Sequence, residues 1–240
     1  MKRELFPFQK EFVNKIYVLI PAYNPDEKLN NLINELTIKG ISEENIVVVN
    51  DGSNNGYDFS TLHVKVLSHN KNLGKGEALK NGFGFIIKNY KDCSGVVTAD
   101  CDYQHLPDDI VNIAKILSEN PNKLIFGSRI FKHEEIPFKS LFGNKFVSGL
   151  MKIFYGLNIR DTQTGLRGIP EHFLENFINI EASGFSYEME MLINAVKNGI
   201  EIEEIGIETV YIDKNSGSNF KPLKDSYKIL KTIIKEKNNA

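Results

Sequence analysis

Two carboxylates two residues apart, Asp100 and Asp102, are the side chains of this sequence best suited to chemistry. The β-branched run from Gly95 to Thr98 predicts a buried strand just before them, and Pro107 predicts the start of a helix just after. The acids therefore belong to a strand-to-helix loop, where open parallel sheets bind ligands. Such a pair supplies part of the oxygen shell of a magnesium ion and leaves the rest to water and phosphates. We predict a metal-diphosphate site here; the alternative is a plain solvated loop.

A second candidate lies at residues 72–79, where Gly74 and Gly76 flank Lys75 at the predicted start of a helix that runs to about Asn89. The free N–H groups and the positive end of a helix suit an anion. The spacing is not that of a P-loop, and a flexible turn with a solvated lysine is an equally good interpretation.

A third candidate, Arg129, follows a predicted strand from Leu124 to Ser128. The carboxyl ends of parallel strands lie at one edge of a sheet, so Arg129 should reach the same edge as the acids. There it could meet a phosphate. An arginine that is merely solvated at a strand end is the simpler alternative.

Strands and helices alternate along the first half of the chain. The apolar run Ile16–Ile20 predicts a strand that Pro21 ends, and Asn24 is the predicted N-cap of a helix with Pro25 at its first position and its end near Gly40. Further strands are predicted at residues 46–49 and 64–67. This alternation predicts a single α/β domain, in which a mostly parallel central sheet is flanked by helices.

The second half of the chain departs from this pattern. Residues 138–157 combine large apolar groups with lysines, which is typical of a core or dimer helix and also suits a surface that contacts lipid. Residues 161–168 are too polar and glycine-rich for a core element. Ser186 is a predicted helix cap, a strand with one wetter face is predicted from Ile205 to Tyr211, and residues 223–234 predict an amphipathic C-terminal helix.

Two polar features of this half have simple interpretations. Glu188 and Glu190, in the first turns of the helix after Ser186, are interpreted as favouring the helix dipole. Residues 215–221 predict a loop that either folds over a bound diphosphate or forms a plain connector.

Composition limits the class of protein. The 240 residues suffice for one large domain, and 29 Lys and Arg nearly balance 31 Asp and Glu, so the charge does not indicate nucleic acid as a partner. Two cysteines, Cys93 and Cys101, are too few for a disulfide framework and suit a reducing cytoplasm. Without a secretory signal or an apolar run of ~20 residues, we expect a cytoplasmic protein that is soluble or rests on the inner face of a membrane.

Several motifs fall in one order along the chain. They are Ile20-Pro21-Ala22-Tyr23-Asn24, Asn50-Asp51-Gly52-Ser53, Gly74-Lys75-Gly76, Asp100-Cys101-Asp102-Tyr103-Gln104-His105, Gly127-Ser128-Arg129 and residues 161–168. Together they resemble the family 2 glycosyltransferases of the GT-A fold, within these the branch that includes dolichyl-phosphate mannose synthase. The resemblance covers residues 16–225, which leaves 1–15 as a lead-in and 226–240 as the end of the C-terminal helix and a tail.

The resemblance implies a nucleotide-diphosphate sugar (a GDP- or UDP-sugar) as donor and Mg²⁺ or Mn²⁺ as cofactor. The residues it implies for the nucleotide sugar are Pro21, Ala22, Tyr23, Asn24, Asp51, Lys75, Asp100, Cys101 and Asp102. For the metal it implies Asp100, Asp102 and Gln104, for an acceptor phosphate Arg129 and Arg167, and for a loop closing over the donor Asn215, Ser218 and Lys221. Pro25 stands where many relatives have glutamate and Asn50 where many have aspartate, so the roles of those side chains are not carried over.

The implied reaction is sugar transfer with inversion, to a polyprenyl phosphate or a glycan hydroxyl. A hydroxyl would need a general base, for which Asp161 is a candidate, whereas a phosphate is already anionic. If the acceptor is a phosphate, Asp161 would instead orient Arg167. Two other functions stay open at this point: a sugar-phosphate nucleotidylyltransferase and a non-catalytic protein that binds nucleotide sugars.

Overall fold

The computed structural model describes residues 15–129, 138–162, 164–182, 184 and 186–208, with the backbone alone for 138–146. The lead-in, the predicted donor loop with Asn215, Ser218 and Lys221, and the predicted C-terminal helix lie outside the described residues.

Seven strands of the described chain form one sheet in the order β3-β2-β1-β4-β6-β5-β7. They are β1 (Ile16–Ala22), β2 (Ile46–Asn50), β3 (Lys65–Ser68), β4 (Gly95–Thr98), β5 (Lys123–Arg129), β6 (Arg167–Pro170) and β7 (Glu201–Ile207). All neighbours pair in parallel except β6, which runs antiparallel to both β4 and β5. The predicted mostly parallel α/β sheet is thus confirmed.

Helices cover both faces of this sheet. They are α1 (Glu27–Ile38), α2 (Lys75–Asn89), α3 (Pro107–Glu119), α4 (Phe138–Tyr155), α5 (Leu174–Ile178) and α6 (Ser186–Lys197), with short 3-10 turns at Glu43–Asn45, Phe59–Thr61 and Glu171–Phe173. Successive strand residues point to opposite faces. Leu19 therefore packs in one core cluster with α2 and α6, while Val18 and Ile20 pack in the other with α1 and α3.

The turn from β1 to α1 differs from the prediction at two points. Pro21 does not end β1: the pairing with β4 stops at Leu19, so the missing N–H of Pro21 removes no bond from that ladder, and pairing with β2 continues to Ala22. The N-cap of α1 is Asp26, not Asn24, because an Asp26 carboxylate oxygen accepts from the Lys28 N–H at 2.9 Å.

Residues 161–168 also differ from the prediction. Asp161, Thr162, Thr164 and Arg167 are buried, and Arg167 begins β6 in the middle of the sheet. A strand of four residues that begins with arginine and ends with proline lacks the apolar alternation by which strands are recognised. Strand β7 begins at Glu201, before the predicted Ile205, and residues from 209 onward lie outside the described chain.

Helix α2 packs closely against β1 where Gly82 faces Leu19. A Cβ at Gly82 would lie 2.3 Å from Leu19 Cδ1, whereas a Cβ at Gly84, on the same helix, would meet nothing within 4 Å. A side chain at 82 would therefore force Leu19 to shift, whereas one at 84 would meet open space.

We expect Gly82→Ala to lower the free energy of unfolding by about 1–3 kcal/mol, the usual cost of overpacking a core. Gly84→Ala is the matched control and should raise it by about 0.5–1 kcal/mol, because alanine is the better helix former. Urea unfolding of both variants measures this difference. Equal effects would contradict the close packing of α2 on β1.

Candidate active site

The acid loop, residues 100–106, connects the carboxyl end of β4 to α3. One oxygen of Asp102 accepts from the Gln104 backbone N–H at 3.0 Å, and the other accepts from Gln104 Nε2 at 2.8 Å. At the start of the loop the Asp100 N–H donates to His105 Nδ1 at 3.0 Å. The predicted strand-to-helix loop is confirmed, and its own hydrogen bonds hold Asp102 beside Gln104.

Lys75 connects the acid loop to two helices. It is the first residue of α2, and its Nζ lies 2.5 Å from Asp100 Oδ1 and 2.9 Å from Glu188 Oε1 in the first turn of α6. The anions beside Lys75 are therefore carboxylates of the protein itself. Glu188, interpreted from the sequence as a helix-dipole residue, is instead half of a charge cluster.

These charges shift the pKa values of the cluster in opposite directions. Burial alone would raise the pKa of Asp100, but the charge of Lys75 and its hydrogen bond to Asp100 outweigh it and lower the pKa to about 2. Burial and the neighbouring charge of Asp100 raise the pKa of Asp102. Burial lowers the pKa of His105, consistent with a neutral imidazole whose Nδ1 accepts a hydrogen bond.

Gly165 covers the ion pair of Lys75 and Asp100. A Cβ at this position would lie 2.8 Å from Lys75 Nζ and 2.9 Å from both carboxylate oxygens of Asp100. The Thr98 hydroxyl donates to the Gly165 carbonyl at 2.7 Å and fixes this approach. Gly165 and Glu188 were missed as site residues, because the contacts join segments that are far apart in the chain.

Asp51, predicted to line the nucleotide pocket, is buried and anchors the segment before α2. Its oxygens accept from the backbone N–H groups of Leu73 and Gly74, each at 2.8 Å, and Oδ1 lies 2.8 Å from His69 Nδ1. The role of Asp51 in this structure is thus to position the residue before Lys75.

Asn24 ties the loop after β1 to the loop after β2. Its backbone has a φ of +50°, its N–H donates to Ser53 Oγ at 2.9 Å, and its side-chain oxygen accepts from the Asn54 N–H at 2.8 Å. Asn50 accepts from the Ser53 N–H at 2.9 Å and so supports the same turn. Beside these residues, Tyr23 exposes 44% of its surface, an aromatic face open to a ligand.

Pro21, Ala22 and Cys101 are the remaining predicted nucleotide residues. Pro21 and Ala22 are buried in the last part of β1. Burial, together with the charges of Asp100 and Asp102, raises the pKa of the Cys101 thiol to about 12. Cys101 is therefore a protonated small side chain between the two acids.

Arg129 ends β5 at the same edge of the sheet as the acids, as predicted. Its Nε donates to Asp161 Oδ2 at 2.5 Å and its Nη2 to Asp161 Oδ1 at 3.0 Å. Asp161 is fully buried, with both oxygens accepting from Arg129. This geometry favours an orienting role for Asp161 over that of a general base, and Arg129 is an arginine that it orients.

Arg167 is buried, with only 1% of its surface exposed, and its predicted contact with an acceptor phosphate stays a prediction. Its Nη1 donates to the Glu188 carbonyl at 2.6 Å, its Nε donates to the Thr164 carbonyl at 3.2 Å, and its guanidinium lies over the Phe126 ring. Within the described chain, its Nη2 has no hydrogen-bond partner. Arg167 thus fastens the first turn of α6, which carries Glu188, to β6.

Comparison with known proteins identifies the family. The model of glycosyl transferase family 2 matches residues 17–175. The chain belongs to this family. Its enzymatic class is therefore that of the glycosyltransferases, which sets aside the nucleotidylyltransferase and the non-catalytic binding protein.

Relatives of this glycosyltransferase include enzymes named for lipid-linked sugar transfer. A UDP-N-acetylglucosamine–dolichyl-phosphate N-acetylglucosaminyltransferase of Methanococcus voltae is 29% identical, over 82% of this chain and 86% of its own. A dolichyl-phosphate β-glucosyltransferase of Saccharomyces cerevisiae is 28% identical, over 90% of this chain and 72% of its own.

Solved structures confirm the GT-A fold. Glucosyl-3-phosphoglycerate synthase from Mycobacterium tuberculosis, in complex with Mn²⁺, UDP-glucose and phosphoglyceric acid, aligns with a TM-score of 0.69 at 17% identity. The alignment covers 99% of this glycosyltransferase and 86% of the synthase. At this identity the similarity concerns the fold alone.

The acid loop of this glycosyltransferase suits a divalent cation that is shared with a ligand. No cluster of three or more His, Cys, Asp or Glu side chains that could hold a metal is found among the described residues. Asp102, Gln104 and Asp100 offer carboxylate and amide oxygens, which are the ligands that Mg²⁺ and Mn²⁺ prefer. The raised pKa of Asp102 reflects burial and a neighbouring like charge, which a cation would relieve. The residues therefore fit a partial metal shell.

Helix α4 carries the segment predicted either to pack in the core or to contact lipid. Val147 and Met151 are fully buried, while Lys152 and Ile153 are exposed, Ile153 to 77%. One face of the helix thus packs in the core, and contact of the other face with lipid stays a prediction. Of the described helices, none combines the length and apolar character needed to cross a membrane.

We expect Lys75→Met to raise the pKa of Asp100 from about 2, because burial would then act with less opposing charge. In the unmodified protein, ionised Asp100 stabilises the fold above its ordinary pKa of 3.8, and this contribution is lost as the pH falls to about 2. Carbon-detected NMR titration measures the pKa directly. Lys80→Met, which removes an ion pair with Glu77 on the same helix, is the control and should leave Asp100 unchanged.

Proposed function

We propose that this glycosyltransferase moves a sugar, with inversion, from a nucleotide-diphosphate sugar to a polyprenyl phosphate, and that it needs Mg²⁺ or Mn²⁺. The observation that carries the proposal is the arrangement of Lys75, Asp100 and Asp102 at the carboxyl end of β4, where an ammonium and two carboxylates lie together. Relatives named for transfer of sugars to dolichyl phosphate support the acceptor class.

The donor end of the site combines three features that suit a diphosphate. Asp102 and Gln104 offer oxygens to a cation, and Lys75 adds a positive charge beside them. The N-cap of α2 is Gly74, which has no side chain to bond the first N–H groups of the helix, so these groups are suited to an anion. A bound cation would neutralise charge that develops on the diphosphate leaving group.

The acceptor end favours a phosphate over a glycan hydroxyl. Arg129 is a partly exposed cation whose direction is set by two hydrogen bonds to Asp161. A guanidinium held in this way is well suited to bind a phosphate. A phosphate oxygen can attack without losing a proton, whereas a hydroxyl needs a base, and both oxygens of Asp161 already accept from Arg129.

We expect Asp102→Asn to lower sugar transfer by at least about 100-fold, because it removes a charged metal ligand while the side-chain size is kept. The same variant should lose the extra thermal stabilisation that Mn²⁺ adds to UDP binding. Asp108→Asn, which changes an exposed acid at the start of α3, is the control and should behave as the unmodified protein. A metal-dependent stabilisation that survives in Asp102→Asn would contradict the metal site.

The acceptor class is tested with matched lipids. We expect the enzyme to glycosylate a polyprenyl phosphate but not the corresponding free polyprenol, since the phosphate is the proposed nucleophile. UDP-N-acetylglucosamine, UDP-glucose and GDP-mannose serve as donors, and mass spectrometry detects the product. NMR of the product should show the opposite anomeric configuration to the donor. Equal transfer to polyprenol or to a glycan would contradict a phosphate acceptor.

A further inference from the structure

Tyr103, in the middle of the acid loop, has a left-handed backbone conformation. Its φ is +65°, and among the described non-glycine residues only Asn24 shares a positive value. Asparagine adopts this region readily, whereas a bulky side chain does so rarely. Such a conformation persists only where the surroundings fix it, and it is commonest at functional sites.

This conformation matters because Tyr103 lies between Asp102 and Gln104. The direction in which the chain leaves residue 103 decides whether the Gln104 side chain can reach back to Asp102. In the structure it does so: Gln104 Nε2 donates to Asp102 Oδ2 at 2.8 Å, and the Gln104 backbone N–H donates to Asp102 Oδ1 at 3.0 Å. A different φ at Tyr103 would change the direction of Gln104 relative to Asp102.

The group that holds Tyr103 is Glu35 on α1. The Tyr103 hydroxyl donates a short hydrogen bond to Glu35 Oε1. This bond joins the middle of the acid loop to α1, across 68 positions of the chain. Leu32 and Leu36 of α1 are fully buried, which makes the helix a firm support.

The contact lies at the surface of the fold. Tyr103 and Glu35 line an open cleft, together with Lys28, Asn31 and Asn34 of the same helix. Truncating either side chain therefore enlarges a cleft rather than opening a hole in the core, and we expect the variants to fold.

We propose that Glu35 is a positioning residue: by holding the Tyr103 hydroxyl, it keeps Asp102 and Gln104 in the arrangement that receives the cation and the diphosphate. The inference rests on the proposed function, since it assigns Glu35 to the same metal site. Glu35 acts through Tyr103 and contacts neither the donor nor the acceptor.

The test measures metal affinity rather than turnover. The concentration of Mn²⁺ that half-saturates the protein in the presence of UDP is obtained by isothermal titration calorimetry. Glu35→Ala and Tyr103→Phe should each raise it on the order of tenfold, the effect expected of one hydrogen bond to a charged group. Glu35→Gln keeps an acceptor oxygen and should stay within about threefold of the unmodified protein. The double variant Glu35→Ala, Tyr103→Phe should be no worse than either single one, because both changes remove the same contact.

Tyr57→Phe is the matched control. The Tyr57 hydroxyl donates to Asn30 Oδ1 at 2.5 Å, so it also ties a loop to α1, but its loop does not carry the acids. This variant should leave the half-saturating Mn²⁺ concentration unchanged. A rescue completes the set: in the Glu35→Ala background, Tyr103→Asn should restore most of the affinity, because asparagine adopts a positive φ without an anchor.

The outcomes separate the two proposals. If the unmodified protein binds UDP without any dependence on Mn²⁺, the proposed metal site fails, and the role of Glu35 fails with it. If the unmodified protein shows the dependence and Glu35→Ala and Tyr103→Phe retain its full strength, only the role of Glu35 is overturned. An equal loss in Tyr57→Phe, or no recovery with Tyr103→Asn, also overturns it.

Discussion

The ammonium of Lys75 is the interaction on which the candidate site depends. It joins the start of α2, the carboxyl end of β4 and the first turn of α6 through Asp100 and Glu188. Together with Asp102, three carboxylates lie around one ammonium, at the place where we propose that an anionic diphosphate binds. A divalent cation would resolve this imbalance. The excess of carboxylates over the Lys75 ammonium is thus the electrostatic reason for the proposed metal.

The buried polar segment of residues 161–168 supports the cluster of Lys75, Asp100 and Glu188. Thr98 and Gly165 bring the chain within van der Waals distance of the ion pair, and Arg167 fastens the helix that carries Glu188. Buried polar groups of this kind are stable only when nearly all of them are hydrogen-bonded. The segment therefore has to be rich in threonine, glycine and charged residues, which is what made it resemble an exposed loop in the sequence.

The parts of the structure that sequence reasoning predicted are those governed by local patterns. The runs at β1, β2, β4 and β5, the start of α3 at Pro107, and the delivery of Arg129 to the edge with the acids all follow from periodicity and turn chemistry. The parts it missed depend on contacts between distant segments. Nothing near Glu188 reveals that it faces Lys75, and nothing near Asp161 reveals that it pairs with Arg129. Contacts between side chains of distant segments produce no periodic pattern in the sequence.

The antiparallel position of β6 has a consequence for how this protein is made. Strands β4 and β5 leave the ribosome early, yet neither pairs with the other, because β6 lies between them. The place between β4 and β5 is filled only when β6, which ends at residue 170 of 240, has emerged. Until then β4 has a partner only in β1 and β5 has none, and unpaired strand edges are prone to wrong pairing. The half of the sheet that carries Arg129 is therefore assembled last, and premature chain termination before β6 should yield an aggregation-prone fragment rather than a smaller folded enzyme.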